Sequence, residues 1–351
     1  MDKPKPEDFP PLLRLRLDSD ALIANWRTLN DMSGRASAGA AVKADGYGLG
    51  AREVVKRLAA AGCRAFFVAH WREAAAIADL IPPEQISVLN GVLPEEVGPA
   101  IALGAKPVIN SMEQLATWRD AGGGRCDIMF ETGMNRLGIE DERAGEVAAL
   151  SLDIDMVMSH LASADEDVPQ NAAQLERYRA VATYFPNARK SLANSAGIAL
   201  GPDYHFDVTR PGLSIYGGIQ RPEYEGRIRQ VAFPEARILQ IRHLKPGDKV
   251  GYNATFTADR EMTVAVAAIG YADGYMRAFS NGGKFFIGND SAEVVGRVSM
   301  DLVILKLAFR QIGHQWARVA QSLAMAARST NLSQYELLTN SGRRSERSWC
   351  V

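Results

Sequence analysis

The sequence predicts an α/β protein, with an N-terminal (β/α)8 TIM barrel followed by a C-terminal, mainly β domain. Three observations carry that prediction. From about residue 36 to 212 one cadence recurs: a short apolar run, a polar or glycine-bearing turn, then an amphipathic helical pattern. This is how βα units read. After about residue 235, strand-like runs follow one another with Gly, Asp and Asn between them and no helical pattern, the texture of a β domain. The opening LLRLRLD alternates apolar and charged residues, a strand expected to join the β domain rather than the barrel.

Taken in order, residues 1–11 read as a tail, 12–235 as the barrel with its first strand lent to the second domain, and 236–351 as the β domain. The barrel strand candidates are AGAAVKADG (38–46), CRAFFVAH (63–70), QISVLNG (85–91), AKPVINS (105–111), RCDIMFETG (125–133), IDMVMSHL (154–161), RKSLANSAG (189–197) and HFDVTRPG (205–212). Segments such as AREVVKRLAAAG, MEQLATWRDAGG and NAAQLERYRAVATYF, with apolar residues three and four apart, supply the helices between them. Eight strands with crossover helices in about 200 residues favour a closed barrel, with a doubly wound open sheet as the alternative. The β domain is expected from RILQIRHLKPGDKVGY, MTVAVAAIGYADG, GGKFFIGND and SAEVVGRVSMDLV.

Composition narrows the function classes. Forty Lys+Arg against 41 Asp+Glu leave a net charge of −1, which provides no field to draw the chain to a polyanion or an anionic membrane. The expected partner is a small molecule. Cys63, Cys126 and Cys350 are far apart and lack metal spacing, so neither a disulfide framework nor a bound metal is expected. With no apolar leader and no run of 18 or so uncharged apolar residues, the expected location is the cytoplasm.

Polar and charged residues stand at the ends of otherwise apolar strands: Lys43, Arg136, His160, Asn194, Ser195 and Arg210. In a barrel such ends converge on one face, where active sites of this fold are built. Each residue alone is as readily a satisfied polar group at a strand end, but six together favour a site. A lysine held in a barrel interior loses basicity and becomes a candidate Schiff-base amine. NSAG and RPGLSIYGG follow the seventh and eighth strands, the usual phosphate position of this fold. Lysine and phosphate site together suggest pyridoxal phosphate.

The segments AVKADGYGLGA, ETGMNRLGI, SHLASADE, NSAG, RPGLSIYGG, VGYNATF, GYADGYMR and GRVSMD, in that order, together resemble the bacterial alanine racemases from about residue 12 to 301. The resemblance implies an isomerase that interconverts L- and D-alanine with pyridoxal 5'-phosphate and supplies D-alanine for peptidoglycan. It implies that Lys43 carries the cofactor as an internal aldimine and serves the D enantiomer. Tyr252, from the partner subunit of a homodimer, serves the L enantiomer on the opposite face, because racemisation needs a base on each side of Cα. It further implies His160 as the group that stabilises the Tyr252 phenolate, and Arg210 at the pyridine nitrogen, where a guanidinium keeps its own proton. Arg136 is implied at the substrate carboxylate. Tyr47, Ser195, the backbone of Gly212 and Leu213, and Tyr335 are implied as phosphate ligands, with Asn194 beside them. Met300 of the partner would offer its backbone N–H to the substrate carboxylate. Asp165, Tyr271, Arg277 and Arg297 resemble residues of the access corridor. The same chemistry would also suit a racemase of broader substrate range, serine included. A non-catalytic carrier of the cofactor would keep Lys43 and lack Tyr252.

Two departures from the family pattern stand out. Met129 occupies the position where many members carry a carbamylated lysine seven residues before the arginine. This leaves Glu131 or a bound anion to neutralise Arg136. Residues 302–333 lack a single Asp or Glu and read more as helix than as sheet. The ending SQYELLTNSGRR, which carries Tyr335, is family-like again.

Overall fold

A computed structural model describes residues 3–150, 152–308, 315–340 and 344–350. The chain divides into two compact units, residues 20–229 and residues 1–19 with 230–351.

In the first unit, among the described residues, short parallel strands run in the order Ala40–Ala41, Phe66–Val68, Ile86–Val88, Lys106–Ile109, Cys126–Glu131, Ile154–Met158 and Arg189–Ser191. The eighth, Val208–Thr209, pairs in parallel with Ser37–Ala38. The Arg210 N–H donates to Ala193 O at 2.8 Å, and the Gly39 and Ala41 N–H groups donate to Thr209 and Pro211 carbonyls at 2.9 and 2.8 Å. The last strand is therefore bonded to both the seventh and the first, and the barrel closes. An open sheet is excluded, because its edge strands would lack one of these two ladders. Phe66–Val68, Ile86–Val88 and Lys106–Ile109 are buried on both faces, as their apolar runs require. Between them the helices turn one apolar stripe inward. Ala51–Ala61 buries Ala51, Val54, Val55 and Leu58 and stops at Gly62, whose φ of +113° a side chain would resist.

In the second unit an eight-stranded sheet, among the described residues, runs Met262–Ala267, Val303–Lys306, Asp290–Val294, Lys284–Ile287, Trp316–Val319, Ala232–Leu244, Leu13–Asp18, Glu346–Cys350. The first of these also pairs with Ala232–Leu244, which bends the sheet into a ring around Ala265, Ala267, Phe285, Ile287, Val294 and Leu305. Leu13–Asp18 is antiparallel to 232–236 on one side and parallel to 346–350 on the other.

The expectation of helix through 302–333 is corrected here. Val303–Lys306 and Trp316–Val319 are strands, and among the described residues of that stretch helix is confined to Leu323–Thr330. The part of the stretch at 309–314 lies outside the described residues. Sheet neighbours decide the matter: Val303 and Leu305 point into the ring core and Ala317 packs opposite Ala236, so burial against partners overrides the weak helical preference of Leu, Lys and Ala. The ring does not break at this segment, since Val303–Lys306 bridges Met262–Ala267 and Asp290–Val294.

Candidate active site

Lys43 follows the first barrel strand and is half-buried. The chain leaves it through a left-handed turn, with φ of 54°, 54°, 63° and 55° at Ala44, Asp45, Gly46 and Tyr47. Only Gly46 adopts this region without cost. Each of the other residues pays about 1–2 kcal/mol, so the turn persists because its surroundings hold it. Internal bonds run from Gly46 N–H to Val42 O and from Gly48 N–H to Ala44 O, each at 2.9 Å. The Ala44 N–H donates outside the turn, to Glu73 Oε1 at 2.7 Å, and Glu73 Oε2 accepts the Ala69 N–H at 2.7 Å. The Asp45 carboxylate accepts the Ala51 N–H at 2.9 Å and so opens the following helix.

The Lys43 amine is pushed below its ordinary pKa, first by burial and then by the Arg136 and Arg210 charges, with Glu73 opposing. Arg210 is buried at the end of the eighth strand. Its guanidinium donates to Ser191 Oγ at 2.6 Å and to Ser159 O, and contacts His160 Nδ1 at 3.4 Å. Burial lowers its pKa to about 10, so it keeps its proton at neutral pH. Burial, with Arg210, Arg136 and Lys43 nearby, lowers His160 to about 3. The ring is therefore neutral. A guanidinium can only donate, so Nδ1 is the acceptor and the ring proton sits on Nε2. His160 is thus a neutral hydrogen-bond donor rather than a cation.

The turns after the seventh and eighth strands meet around Gly212. Ser195 Oγ accepts the Gly212 N–H at 2.8 Å and the Ser214 N–H at 3.3 Å. A β-carbon on Gly212 would lie 2.3 Å from the Tyr47 hydroxyl, so only glycine lets that ring approach. Tyr47 stacks on Tyr216 at 4.7 Å between centroids, and Tyr216 is fixed by its bond to Ala41 O at 2.8 Å. Ser214 Oγ is buried without a hydrogen-bond partner. Asn194 caps Ser195–Ala199 by accepting the Gly197 N–H at 2.9 Å. Hydroxyls, backbone N–H groups, a glycine cradle and an orphaned buried hydroxyl are the donor set a phosphate group takes, so these residues fit a phosphorylated cofactor whose aldehyde meets Lys43.

Arg136 is exposed in the loop after the fifth strand. Glu131 does not pair with its guanidinium among the described contacts. The carboxylate instead accepts the backbone N–H groups of Gly133, Met134 and Arg136, and against the opposing effect of burial the backbone N–H groups of Asn135, Gly133, Met134 and Arg136 hold it below the usual carboxylate range. Met129 is buried in the same strand. Asp165 is exposed in the loop after the sixth strand.

The other candidates lie in the second unit, where backbone contacts gather five of them at one end. Tyr252, 71% exposed, follows Gly251, whose φ is +71° and whose added β-carbon would stand 3.4 Å from Arg297 N. The Tyr271 N–H donates to Ser299 O and the Ala272 N–H to Met300 O, each at 3.1 Å. Met300 is 52% exposed. Arg277 opens a short turn whose Ser280 accepts the Val298 N–H at 3.1 Å. Tyr335 is exposed on the helix Gln334–Thr339.

Sequence reasoning passed over Glu73, Ser191 and Ser214. Glu73 had a signal, since a Glu three residues after a strand-ending His is the spacing of a reciprocal helix cap. Ser191 had one too, as a polar residue on the inward-facing alternation of the seventh strand.

A closed barrel with a basicity-depressed lysine beside the phosphate position, joined in sequence to a β unit that displays an exposed tyrosine, defines the class of barrel proteins built to hold an aldehyde cofactor on lysine. Residues 17–220 match the family described as alanine racemase, N-terminal domain, and residues 231–349 match alanine racemase, C-terminal domain. An alanine racemase from Rhizobium meliloti (strain 1021) is 38% identical, covering 98% of each chain, and one from Acidiphilium cryptum (strain JF-5) is 42% identical over 82% of this chain and 83% of its own. The crystal structure of alanine racemase from Bartonella henselae with covalently bound pyridoxal phosphate superposes with a TM-score of 0.90 at 31% identity, covering 97% of this chain and all of that one. The biosynthetic alanine racemase of Pseudomonas aeruginosa gives 0.89 at 29% identity over 98% of this chain and all of its own. The chain belongs to the alanine racemase family. Among the described residues no helix is long and apolar enough to cross a membrane, and no cluster of His, Cys, Asp and Glu could hold a metal ion.

Proposed function

We propose that this protein interconverts L-alanine and D-alanine with pyridoxal 5'-phosphate, in the cytoplasm, as a homodimer that supplies D-alanine for peptidoglycan. The observation that carries the reading is Lys43, half-buried at the barrel mouth and reduced in basicity by burial and by the charges of Arg136 and Arg210. Bound there, the cofactor supplies the electron sink that lets a proton leave Cα. Lys43 holds it covalently. Tyr47, Ser195, Ser214, the backbone of Gly212 and Leu213, and Tyr335 take its phosphate, and Asn194 holds the turn that carries Ser195.

Arg210 retains its proton, so where it would meet the ring nitrogen of a bound cofactor it would not protonate it, which would keep the sink weak and side reactions few. Lys43 moves the proton of the D enantiomer and Tyr252 that of the L enantiomer, from opposite faces. A phenol with a pKa near 10 needs help to act at neutral pH, and the Nε2–H of neutral His160 is the donor that stabilises its anion. Arg136 and the Met300 backbone N–H receive the substrate carboxylate, while Asp165, Tyr271, Arg277 and Arg297 line the way in. The exposure of Tyr252 and Met300 on one end of the β unit supports a dimer in which that end meets the barrel mouth of a second chain.

Purified protein given pyridoxal phosphate is expected to racemise alanine, and borohydride is expected to fix the cofactor to Lys43, read by peptide mass. Tyr252→Phe should lower exchange from L-alanine by at least 100-fold, the scale of a lost general base. Wild-type turnover in that variant refutes the two-base assignment. Mixing Lys43→Ala with Tyr252→Phe chains tests the shared site, because a heterodimer carrying one intact pair of bases should regain activity that neither parent has.

A further inference from the structure

Glu73 lies outside the roles assigned above, yet both of its oxygens are committed to the backbone around Lys43. Oε1 accepts the N–H of Ala44, the residue that follows the lysine, while Oε2 accepts the N–H groups of Ala69 at 2.7 Å and His70 at 3.3 Å, where the second barrel strand ends. The Ala44 N–H is the first of the left-handed turn and precedes that turn's own acceptors, as the first N–H groups of any helix do. Without Glu73 the exposed Ala44 N–H would turn to water, and three L-residues in a disfavoured conformation would lose their tie to the second strand.

We propose that Glu73 is a positioning residue for Lys43, its carboxylate clamping the left-handed turn to the end of the second strand so that the amine is held between Arg136 and Arg210. The inference rests on the assignment of Lys43 as the cofactor lysine, and it concerns how that amine is presented rather than what it carries. A formal negative charge beside the amine would by itself make it more basic, and Glu73 does oppose the two arginines in this way. The clamp acts in the other direction, because it keeps the amine in the buried, cation-flanked position that lowers its basicity. The two roles therefore predict opposite signs when Glu73 is removed.

The test uses full-length protein free of cofactor and follows the rate at which Lys43 is labelled by trinitrobenzenesulfonate against pH, with peptide mass identifying the site. The clamp predicts that Glu73→Ala raises the labelling midpoint toward that of an ordinary lysine, that Glu73→Gln does so less because its carbonyl still accepts from Ala44, and that Glu73→Ala with Ala44→Gly returns the midpoint to the wild-type value or below. Glycine at position 44 removes the cost of φ near +54° at the residue Glu73 clamps, so the turn then depends on Glu73 less. A midpoint that falls in Glu73→Ala, or a double variant no closer to wild type than the single, overturns the proposal and leaves Glu73 a charge or a fold contact.

A second measurement is uptake of pyridoxal phosphate by the same proteins. Glu73→Ala should capture it about tenfold more slowly, the equivalent of about 1.4 kcal/mol for one charge-assisted hydrogen bond, with the double variant within threefold of wild type. Should wild-type protein take up no cofactor on Lys43, the proposed function fails while the labelling series still decides the clamp.

Discussion

At the N-terminal end of the barrel strands the Lys106 ammonium lies between the carboxylates of Asp127 and Asp155. Ser87 donates to Asp127 at 2.5 Å, and Arg189 donates to Asp155 at 2.6 Å. At the C-terminal end Lys43, Arg136 and Arg210 act on one another as like charges, and Glu73 is the acid that offsets them at Lys43. Both ends collect ionised groups, but the floor sets Lys106 and Arg189 against carboxylates, whereas around Lys43 two arginines stand against one acid, Glu73. Burial pushes Asp127 up, whereas Asp155 is held down because Arg189 and Lys106 outweigh the same effect. Pairing of this kind makes a closed end. Unbalanced positive charge beside donor N–H groups makes an end that waits for an anion.

The contrast can be broken most severely at the floor. Lys106→Ala strands Asp127 and part of Asp155 in the interior without a countercharge and should cost about 3–5 kcal/mol, measured by urea unfolding. A loss below 1 kcal/mol would mean that the floor charges are not coupled.

A smaller effect sharpens the contrast from the mouth through pH. His160 has a folded pKa of about 3 against 6.5 for the free side chain, so between those values the unfolded chain binds a proton that the folded chain refuses. Lowering the pH through this window therefore removes stability, by about 2 kcal/mol at pH 5. In cofactor-free protein His160→Asn should flatten the fall in melting temperature between pH 7 and about 4, and an unchanged slope would show that the ring is not held neutral. Least of all, Arg136→Gln should change stability by less than about 0.5 kcal/mol, as for other exposed positions. Its effect is expected on the KM for alanine instead, since its guanidinium pairs with no protein carboxylate among the described residues.

The difference between the ends also explains what could be read in advance. All eight barrel strands were legible because each couples an apolar run to a turn, and residues such as Lys43 and Arg210 were conspicuous as charges at the ends of those runs. Glu73 was not, because a carboxylate that caps backbone N–H groups looks in sequence like any helix-opening acid. For Arg136 the sequence left Glu131 or a bound anion open, because nearness along the chain does not show that backbone donors in its own loop take that carboxylate. The strands at 303–306 and 316–319 were read as helix because their burial depends on neighbours far away in sequence, at 262–267, 290–294 and 232–236. Local composition carries no record of such partners.

One consequence of the second unit concerns its assembly during translation. Leu13–Asp18 sits between Ala232–Leu244 and Glu346–Cys350, so this strand leaves the ribosome well before either of its partners. The barrel, drawn from the uninterrupted span 20–229, needs no such delay and can form while synthesis continues. Ending the chain before Glu346 would spare the cradle around Lys43 and leave the first strand bare along one whole edge, a place where a neighbouring copy could attach in the wrong register.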